Sequence, residues 1–99
     1  MTYTLHVSEL AEADLDEALE WYRRVRPGLD DDLVFCVEQA KDRILQNPNL
    51  FAKVHHDYRR ALVRRFPYSV VFRVNGNRVE VDAVFHSNKD PASLRNRIG

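Results

Sequence analysis

The chain has 99 residues, of which 44% are hydrophobic and 30% are charged, so it suits one folded domain and is too apolar to be disordered. No apolar run approaches the roughly 20 residues of a membrane-spanning helix, and the first residues lack the basic and apolar segments of a signal peptide. The single cysteine, Cys36, excludes an internal disulfide. We therefore expect one domain over residues 1–99 in a reducing cytoplasm, with no membrane partner.

The formal net charge of zero hides an uneven distribution along the chain. Residues 1–52 carry 5 basic and 11 acidic side chains, a balance of −6, whereas residues 53–99 carry 10 basic and 4 acidic ones, a balance of +6. This asymmetry has two interpretations: either the second half binds an anionic partner, or the two halves attract each other within the fold.

The first half of the chain has the pattern of one strand followed by two helices. The segment 3–7 alternates and is rich in β-forming residues, which predicts a strand, and Ser8 is a favourable helix N-cap. Apolar residues then recur at three- and four-residue steps, as on one face of a helix: Ala11, Leu15, Ala18, Tyr22 and Val25. A second stripe follows Pro27-Gly28 and ends at Asn47-Pro48: Leu33, Val37, Ala40 and Ile44. The short connection predicts an antiparallel helical hairpin.

The second half changes to the two-residue period of strands. We predict strands over 58–65, 68–75 and 78–86, with Asn75-Gly76 as a tight hairpin turn. Asp90-Pro91 has the pattern of an N-cap and a first helical position, which predicts a short helix over 91–97. The predicted fold class is α+β, in the order β-α-α-β-β-β: an antiparallel sheet with a two-helix hairpin packed on one face and a short C-terminal helix.

Arginines dominate the predicted strand over 58–65. Alternation places Arg60, Leu62 and Arg64 on one face and Arg59, Ala61, Val63 and Arg65 on the other. A guanidinium binds phosphate or carboxylate bidentately and stays charged at any cellular pH. The cluster therefore indicates either an anion-binding surface or a strand that is simply well solvated.

Side chains with acid–base chemistry are few in the basic half. His86 ends the last predicted strand, where it either transfers protons or hydrogen-bonds a backbone group and fixes the strand end. Tyr58 and Tyr68 are the other candidate proton carriers outside the His55-His56 loop. No ligand spacing typical of zinc and no phosphate-binding glycine loop occurs in the sequence, so we predict no metal and no organic cofactor.

Two segments resemble a known family. The stretch 58–74, in which an arginine-bearing strand leads through Phe66-Pro67-Tyr68 into an apolar strand, resembles the RelE/ParE superfamily of toxins from bacterial type II toxin–antitoxin systems. The segment 81–91, with its His86-Ser87-Asn88-Lys89-Asp90-Pro91 end, is similar to the closing strand of that family. The order of elements also fits, so the resemblance covers nearly the whole chain.

The resemblance implies a toxin that a cognate antitoxin holds inactive. RelE-like members cut mRNA on the ribosome, and in that case Arg60, Arg65 and His86 would be the catalytic residues. ParE-like members poison DNA gyrase, and in that case Arg59, Arg64, Lys89 and Arg95 would bind the target. RelE-like nucleases generally carry Tyr or His near the C-terminus, and residues 92–99 contain neither, which favours gyrase over the ribosome. An inert binding module is the third hypothesis.

Overall fold

The computed structural model describes residues 2–98. It confirms the predicted α+β class, with a helical hairpin on one face of a sheet and a short helix at the C-terminal end. The elements in chain order are β1 (Thr4–Val7), α1 (Glu9–Val25), α2 (Leu29–Gln46), a 3₁₀ turn (Pro48–Leu50), β2 (Lys53–His55), β3 (Tyr58–Leu62), β4 (Tyr68–Asn75), β5 (Arg78–His86) and α3 (Pro91–Ile98).

Local signals set the ends of the two long helices. The Ala11 N–H donates to Ser8 Oγ at 3.1 Å, so Ser8 caps α1 as its side-chain chemistry predicts. Gly28 precedes α2 with a φ of 97°, a left-handed conformation that glycine adopts without a Cβ clash. This glycine lets the chain reverse between α1 and α2, so that the two helices pack side by side.

The sheet is mixed, which corrects the prediction of an antiparallel sheet. The strand order is β1-β5-β4-β3-β2, and β1 runs parallel to β5, with Thr4 paired to Arg78 and Val7 to Val81. After β1 the chain forms both helices before it returns to the sheet. It returns at β2, the edge opposite β1, and then adds β3, β4 and finally β5. The pattern of 3–7 identified a strand but carried no information on its partner, which lies at the other end of the chain.

The strands also differ from the prediction in one missed strand and two boundaries, of which the first is the start of β1 at Thr4 rather than at residue 3. β2, three residues long, was not predicted; it pairs antiparallel with β3 and forms one edge of the sheet. β3 ends at Leu62 rather than at Arg65, because the chain turns at 64–67 and the Val63 N–H already donates to the Tyr68 carbonyl at 2.8 Å. β4 and β5 have the predicted bounds.

The two faces of the sheet are covered to different extents. On the face under α1 and α2, Phe72 packs with Leu33 and Ile44 in a fully buried core that supplies most of the apolar burial. The opposite face has a smaller cluster, in which Val71, Ala83 and Phe85 are covered by partly buried side chains: Tyr58, Leu94 and Ile98. None of the helices within residues 2–98 combines the length and the apolarity needed to cross a membrane.

Candidate functional site

A cavity of about 170 Å³ lies beside α3, on the face of the sheet that the helical hairpin leaves uncovered. We call it the cationic cavity. Its apolar walls come from Val54, Val71, Phe85, Pro91 and Leu94, and its polar walls from His55, Arg60, Ser69, His86, Ser87, Lys89 and Arg95. Four of the seven predicted site residues therefore meet in one place: Arg60, His86, Lys89 and Arg95.

Three different elements carry the cations of this cavity. Arg60 lies in the middle of β3, paired across to Val71 of β4, so strand alternation places both residues on the open face. Lys89 follows β5 in a turn, with its ammonium 5.2 Å from the centre of the Phe85 ring. Arg95 lies on α3. The cavity is thus complete only after β3, the turn that follows β5, and α3 have come together.

The cations of the cavity are not neutralised by the fold. Within residues 2–98, none of Arg60, Lys89 and Arg95 forms an ion pair with a carboxylate. All three residues are exposed. Three such charges around one concavity produce a positive potential that attracts an anionic group.

Arg59, a predicted target-binding residue, has a different environment from its neighbour Arg60. It lies on the helix-covered side of β3, and its Nη1 donates to the carbonyl of Phe51 at 2.6 Å and to that of Asn49 at 3.1 Å. These bonds tie the 3₁₀ turn to the sheet, so the guanidinium satisfies backbone acceptors.

Arg64 and Arg65 lie in the turn between β3 and β4, outside the cationic cavity. Arg65 has a φ of 70°, and its Nη2 lies 3.5 Å from a carboxylate oxygen of Asp32 at the start of α2. The structure therefore brings Arg60 and His86 to the same cavity but does not bring Arg65 to it.

His86 stands at the end of β5 between two concave regions. The Asn88 backbone N–H donates to its Nδ1 at 3.0 Å, which leaves the proton of the neutral ring on Nε2. The ring also packs edge-on against Tyr68, with centroids 5.0 Å apart. These contacts hold the imidazole in the turn that carries Lys89.

On the other side of His86 is a wider groove of about 700 Å³, which we call the aromatic groove. It is lined by Trp21, Tyr22, Pro67 and Tyr68, with a charged rim of Glu17, Glu20, Arg24 and Lys89. Trp21 is 58% exposed, although it packs edge-on against Tyr22 at 4.9 Å. Sequence reasoning missed this groove; the available signal was a tryptophan lying beside the core stripe of α1.

The two candidate tyrosines of the basic half are held in their protonated forms. Burial raises the pKa of Tyr68, and the neighbouring Tyr22 adds to the rise. Burial also raises the pKa of Tyr58, and the nearby carboxylate of Asp82 raises it further. Neither phenol is therefore prepared to act as a base near neutral pH.

A second charged cluster anchors α3, and the sequence did not indicate it. Arg97 binds Asp14 of α1 bidentately, with N–O distances of 3.0 and 2.9 Å, and also donates to the Asp82 carbonyl at 3.3 Å. The Val84 N–H donates to Asp14 Oδ2 at 3.1 Å. Because β1 pairs with β5 only as far as Val81, this Asp14–Arg97 cluster satisfies backbone groups on the uncovered part of that edge.

Metal-binding geometry does not occur among the described side chains. Across residues 2–98, no group of three His, Cys, Asp or Glu residues is placed to share an ion. Cys36 is a free thiol, buried in the core under the sheet. The chemistry available at the cationic cavity is therefore that of guanidinium, ammonium, imidazole and hydroxyl groups.

Comparison with known proteins identifies relatives along most of the chain. Residues 5–91 match the family model described as the ParE toxin of the type II toxin-antitoxin system, parDE. The proteins called Toxin ParE2 from two Mycobacterium tuberculosis strains, CDC 1551 / Oshkosh and ATCC 25618 / H37Rv, are each 33% identical over 99% of this chain and 94% of their own length.

A solved structure shares the fold. The structure titled "Chromosomal ParDE TA system from P. aeruginosa" superposes with a TM-score of 0.76 at 22% identity, covering 86% of this chain and 96% of that one. The RelE/ParE resemblance is thereby confirmed, and the match falls on its ParE side. The chain belongs to the ParE toxin family of type II toxin–antitoxin systems.

Proposed function

We propose that this toxin inhibits growth by binding DNA gyrase through the cationic cavity, without breaking a covalent bond itself, and that a cognate antitoxin keeps it inactive in the cytoplasm. Membership of the ParE family supports this target class, because the resemblance of the sequence implies gyrase for ParE-like members. The observation that carries the proposal is the placement of Arg60, Lys89 and Arg95 around one cavity with no carboxylate partner among residues 2–98.

The cationic cavity suits a partner because its positive charge is still available for binding. A cation that already has a carboxylate partner gains little from a second anion, whereas a solvated cation beside a concave surface steers and orients an anionic partner. Arg60 and Arg95 lie on a strand and a helix, so their positions are largely fixed before binding and little backbone ordering opposes the contact.

The arrangement of polar groups supports binding over RNA cleavage. Cutting RNA at a 2′-hydroxyl needs a base, an acid and phosphate-binding cations around the same atom. Arg65 lies in the turn beside Asp32, Nδ1 of His86 accepts a backbone N–H, and the pKa values of Tyr58 and Tyr68 are raised. These features keep Arg65 away from Arg60 and leave neither tyrosine prepared as a base, so the imidazoles of His55 and His86 are the acid–base groups beside Arg60.

A supercoiling assay tests the proposed target directly. We expect the purified 99-residue protein to inhibit gyrase, and the double variant Arg60→Ala/Arg95→Ala to lose at least about ten-fold in inhibitory potency. The matched control is Arg26→Ala, which removes an exposed arginine that does not line the cationic cavity. Unchanged supercoiling at every concentration would contradict the proposed target.

Expression in cells separates the three functional hypotheses. A gyrase inhibitor produces DNA damage while messenger RNA stays intact, whereas a ribosome-dependent nuclease produces codon-phased cuts that primer extension detects. Normal growth of cells that accumulate the folded protein without any antitoxin would identify an inert binding module. We expect the first outcome, and loss of the DNA damage in the double variant.

A further inference from the structure

The aromatic groove combines three aromatic rings with a carboxylate that the fold leaves unpaired. Trp21, Tyr22 and Tyr68 line it, together with Glu17. We propose that this groove binds a small organic monocation of the alkylammonium class, with the cation held between the aromatic rings and the Glu17 carboxylate. The inference goes beyond the proposed function, because the groove contains neither arginine of the cationic cavity.

The aromatic walls provide a π surface on which a cation binds. Trp21 is 58% exposed, so much of its indole surface is open. Its ring meets that of Tyr22 edge-on, with centroids 4.9 Å apart and planes at 90°, and the Tyr22 ring meets that of Tyr68 at 6.3 Å and 66°. Rings at such steep angles surround a concavity instead of forming a flat stack. The negative potential over a ring face attracts a cation, most strongly over tryptophan.

Glu17 supplies the charge that selects a cation. It lies four residues before Trp21 in α1, so the two side chains are neighbours on the same face of the helix. Within residues 2–98 the exposed Glu17 carboxylate forms no ion pair. Burial raises the pKa of Tyr68, and the charges of Tyr22 and Glu17 raise it further, so this carboxylate acts on the ring of the second wall. A cation in the groove therefore meets a carboxylate as well as π surfaces.

The other charges of the groove favour a ligand with a single positive charge. Glu20 and Arg24 are paired at 3.2 Å, and Glu20 also binds Arg23 at 3.0 Å, so their charges are largely cancelled. The ammonium of Lys89 lies 5.2 Å from the centre of the Phe85 ring, at the boundary with the cationic cavity. This ammonium repels a second cation at the wall opposite α1. A monocation therefore suits the groove better than a polyamine.

The size and the apolar surfaces of the groove suit alkyl groups on the ligand nitrogen. The volume of about 700 Å³ lies within the range of roughly 300–1,000 Å³ that small-molecule sites have. Ala18 lies three residues before Trp21, and its short side chain leaves depth that a longer one would fill. Pro67 adds an apolar surface on the second wall. Alkyl groups that cover these surfaces release water, which favours an alkylammonium over a bare ammonium ion.

The test is a titration of the intact chain with choline, a soluble alkylammonium, at constant ionic strength. Trp21 is the only tryptophan in the sequence, so its fluorescence reports on the groove. We expect choline to bind at least about ten-fold more tightly than its neutral isostere, in which a carbon atom replaces the charged nitrogen. Spermidine provides the competing class of ligand. If it binds more tightly than choline, the groove responds to general electrostatic attraction and the proposal is wrong.

Variants assign the binding to the groove. Glu17→Gln and Trp21→Leu should each weaken choline binding by about ten-fold, and Trp21→Phe should weaken it less. The matched control is Glu9→Gln, which changes an exposed carboxylate of α1 outside the groove and should leave the affinity unchanged.

Backbone amide shifts in nuclear magnetic resonance spectra follow binding in the variants that lack the tryptophan, and they also check that each variant is folded. Equal affinity for choline and its isostere, or no effect of Glu17→Gln and Trp21→Leu, overturns the proposal. Because these titrations contain no gyrase, their outcome is independent of the proposed function.

Discussion

Arg95 and Arg97 lie two residues apart on α3, yet they belong to regions of opposite character. Arg97 is held bidentately by Asp14 and donates to the Asp82 carbonyl, with only 22% of its side chain exposed. Arg95 lines the cationic cavity and has no carboxylate partner among residues 2–98. The same residue type in the same helix therefore supports the fold at one position and lines an exposed cavity, without a carboxylate partner among residues 2–98, at the other.

The difference shows that an arginine-rich sequence does not identify its own binding residues. Arg59 satisfies two backbone carbonyls, and Arg73 lies 3.1 Å from the Glu80 carboxylate, so both resemble Arg97 rather than Arg95. What distinguishes the binding candidates is that they have no carboxylate partner among the described residues and that they line a concave surface. Substitutions on the two sides of this division should therefore have opposite effects on stability and on binding.

The largest effect on stability is expected for Asp14→Ala. This change leaves the partly buried Arg97 without its carboxylate and the Val84 N–H without its acceptor, so the free energy of unfolding should fall by about 2 kcal/mol. Urea unfolding monitored by circular dichroism measures the change. Asp16→Ala, an exposed carboxylate on the same helix, is the control and should alter stability by less than about 0.5 kcal/mol. Equal effects of the two substitutions would remove the special role of Asp14.

An intermediate effect on the free energy of unfolding is expected when one arginine of α3 is replaced by alanine. Arg97→Ala should lower the free energy of unfolding by about 1.5 kcal/mol, since it removes the bidentate pair but leaves a carboxylate that water can reach. Arg95→Ala should change it by less than about 0.5 kcal/mol. Unfolding curves of the two variants, recorded side by side, compare the regions directly, and a reversed order would invalidate the division.

The smallest expected effect is on the titration of His55, which lines the cationic cavity. Partial burial lowers the pKa of His55 from the usual value of 6.5, and electrostatic repulsion from His56 and Arg95 lowers it further. Arg95→Ala should raise this pKa, whereas Arg97→Ala should leave it unchanged. The chemical shifts of the His55 ring protons across a pH series measure the pKa in each variant. A His55 pKa that is unchanged in Arg95→Ala would contradict the proximity of His55 and Arg95.

The lowered pKa of His55 also determines the direction in which pH changes the stability of the fold. Because folding lowers the pKa of His55, the folded chain binds fewer protons than the unfolded chain between the folded pKa and 6.5. The contribution of this residue to stability is therefore fully present above pH 6.5 and is lost as the pH falls through the folded pKa. A bound anionic group would raise the pKa of His55 and so bind more tightly at lower pH.

Local sequence signals were sufficient for most of the fold. Ser8 capped its helix as predicted, and the Asn75-Gly76 turn joined two strands with the expected bounds. The parallel pairing of β1 with β5 was beyond such signals, because strand patterning specifies neither partner nor direction. Alternation did separate Arg59 from Arg60 correctly, and the apolar residues on the Arg59 side, Ala61 and Val63, explain why that face is the one the helices cover.

The candidate site was less predictable, for a physical reason. A guanidinium reaches several ångströms from its backbone, so its partner is selected by tertiary neighbours such as Asp14 or the carbonyl of Phe51. Nothing near Arg97 in the sequence distinguishes it from Arg95. The sequence did not predict the aromatic groove for a related reason, because its second wall comes from Pro67 and Tyr68, which lie far from Trp21 in the sequence.

The parallel pairing of the first strand with the last has a consequence for synthesis on the ribosome. Thr4 is made early but cannot pair with Arg78 until β5 has emerged, and α3, which carries Arg95, follows later still. Before β5 and α3 have emerged, the nascent protein therefore has neither a finished sheet nor a complete cationic cavity. In our proposal, gyrase is therefore not bound before α3 has emerged from the ribosome.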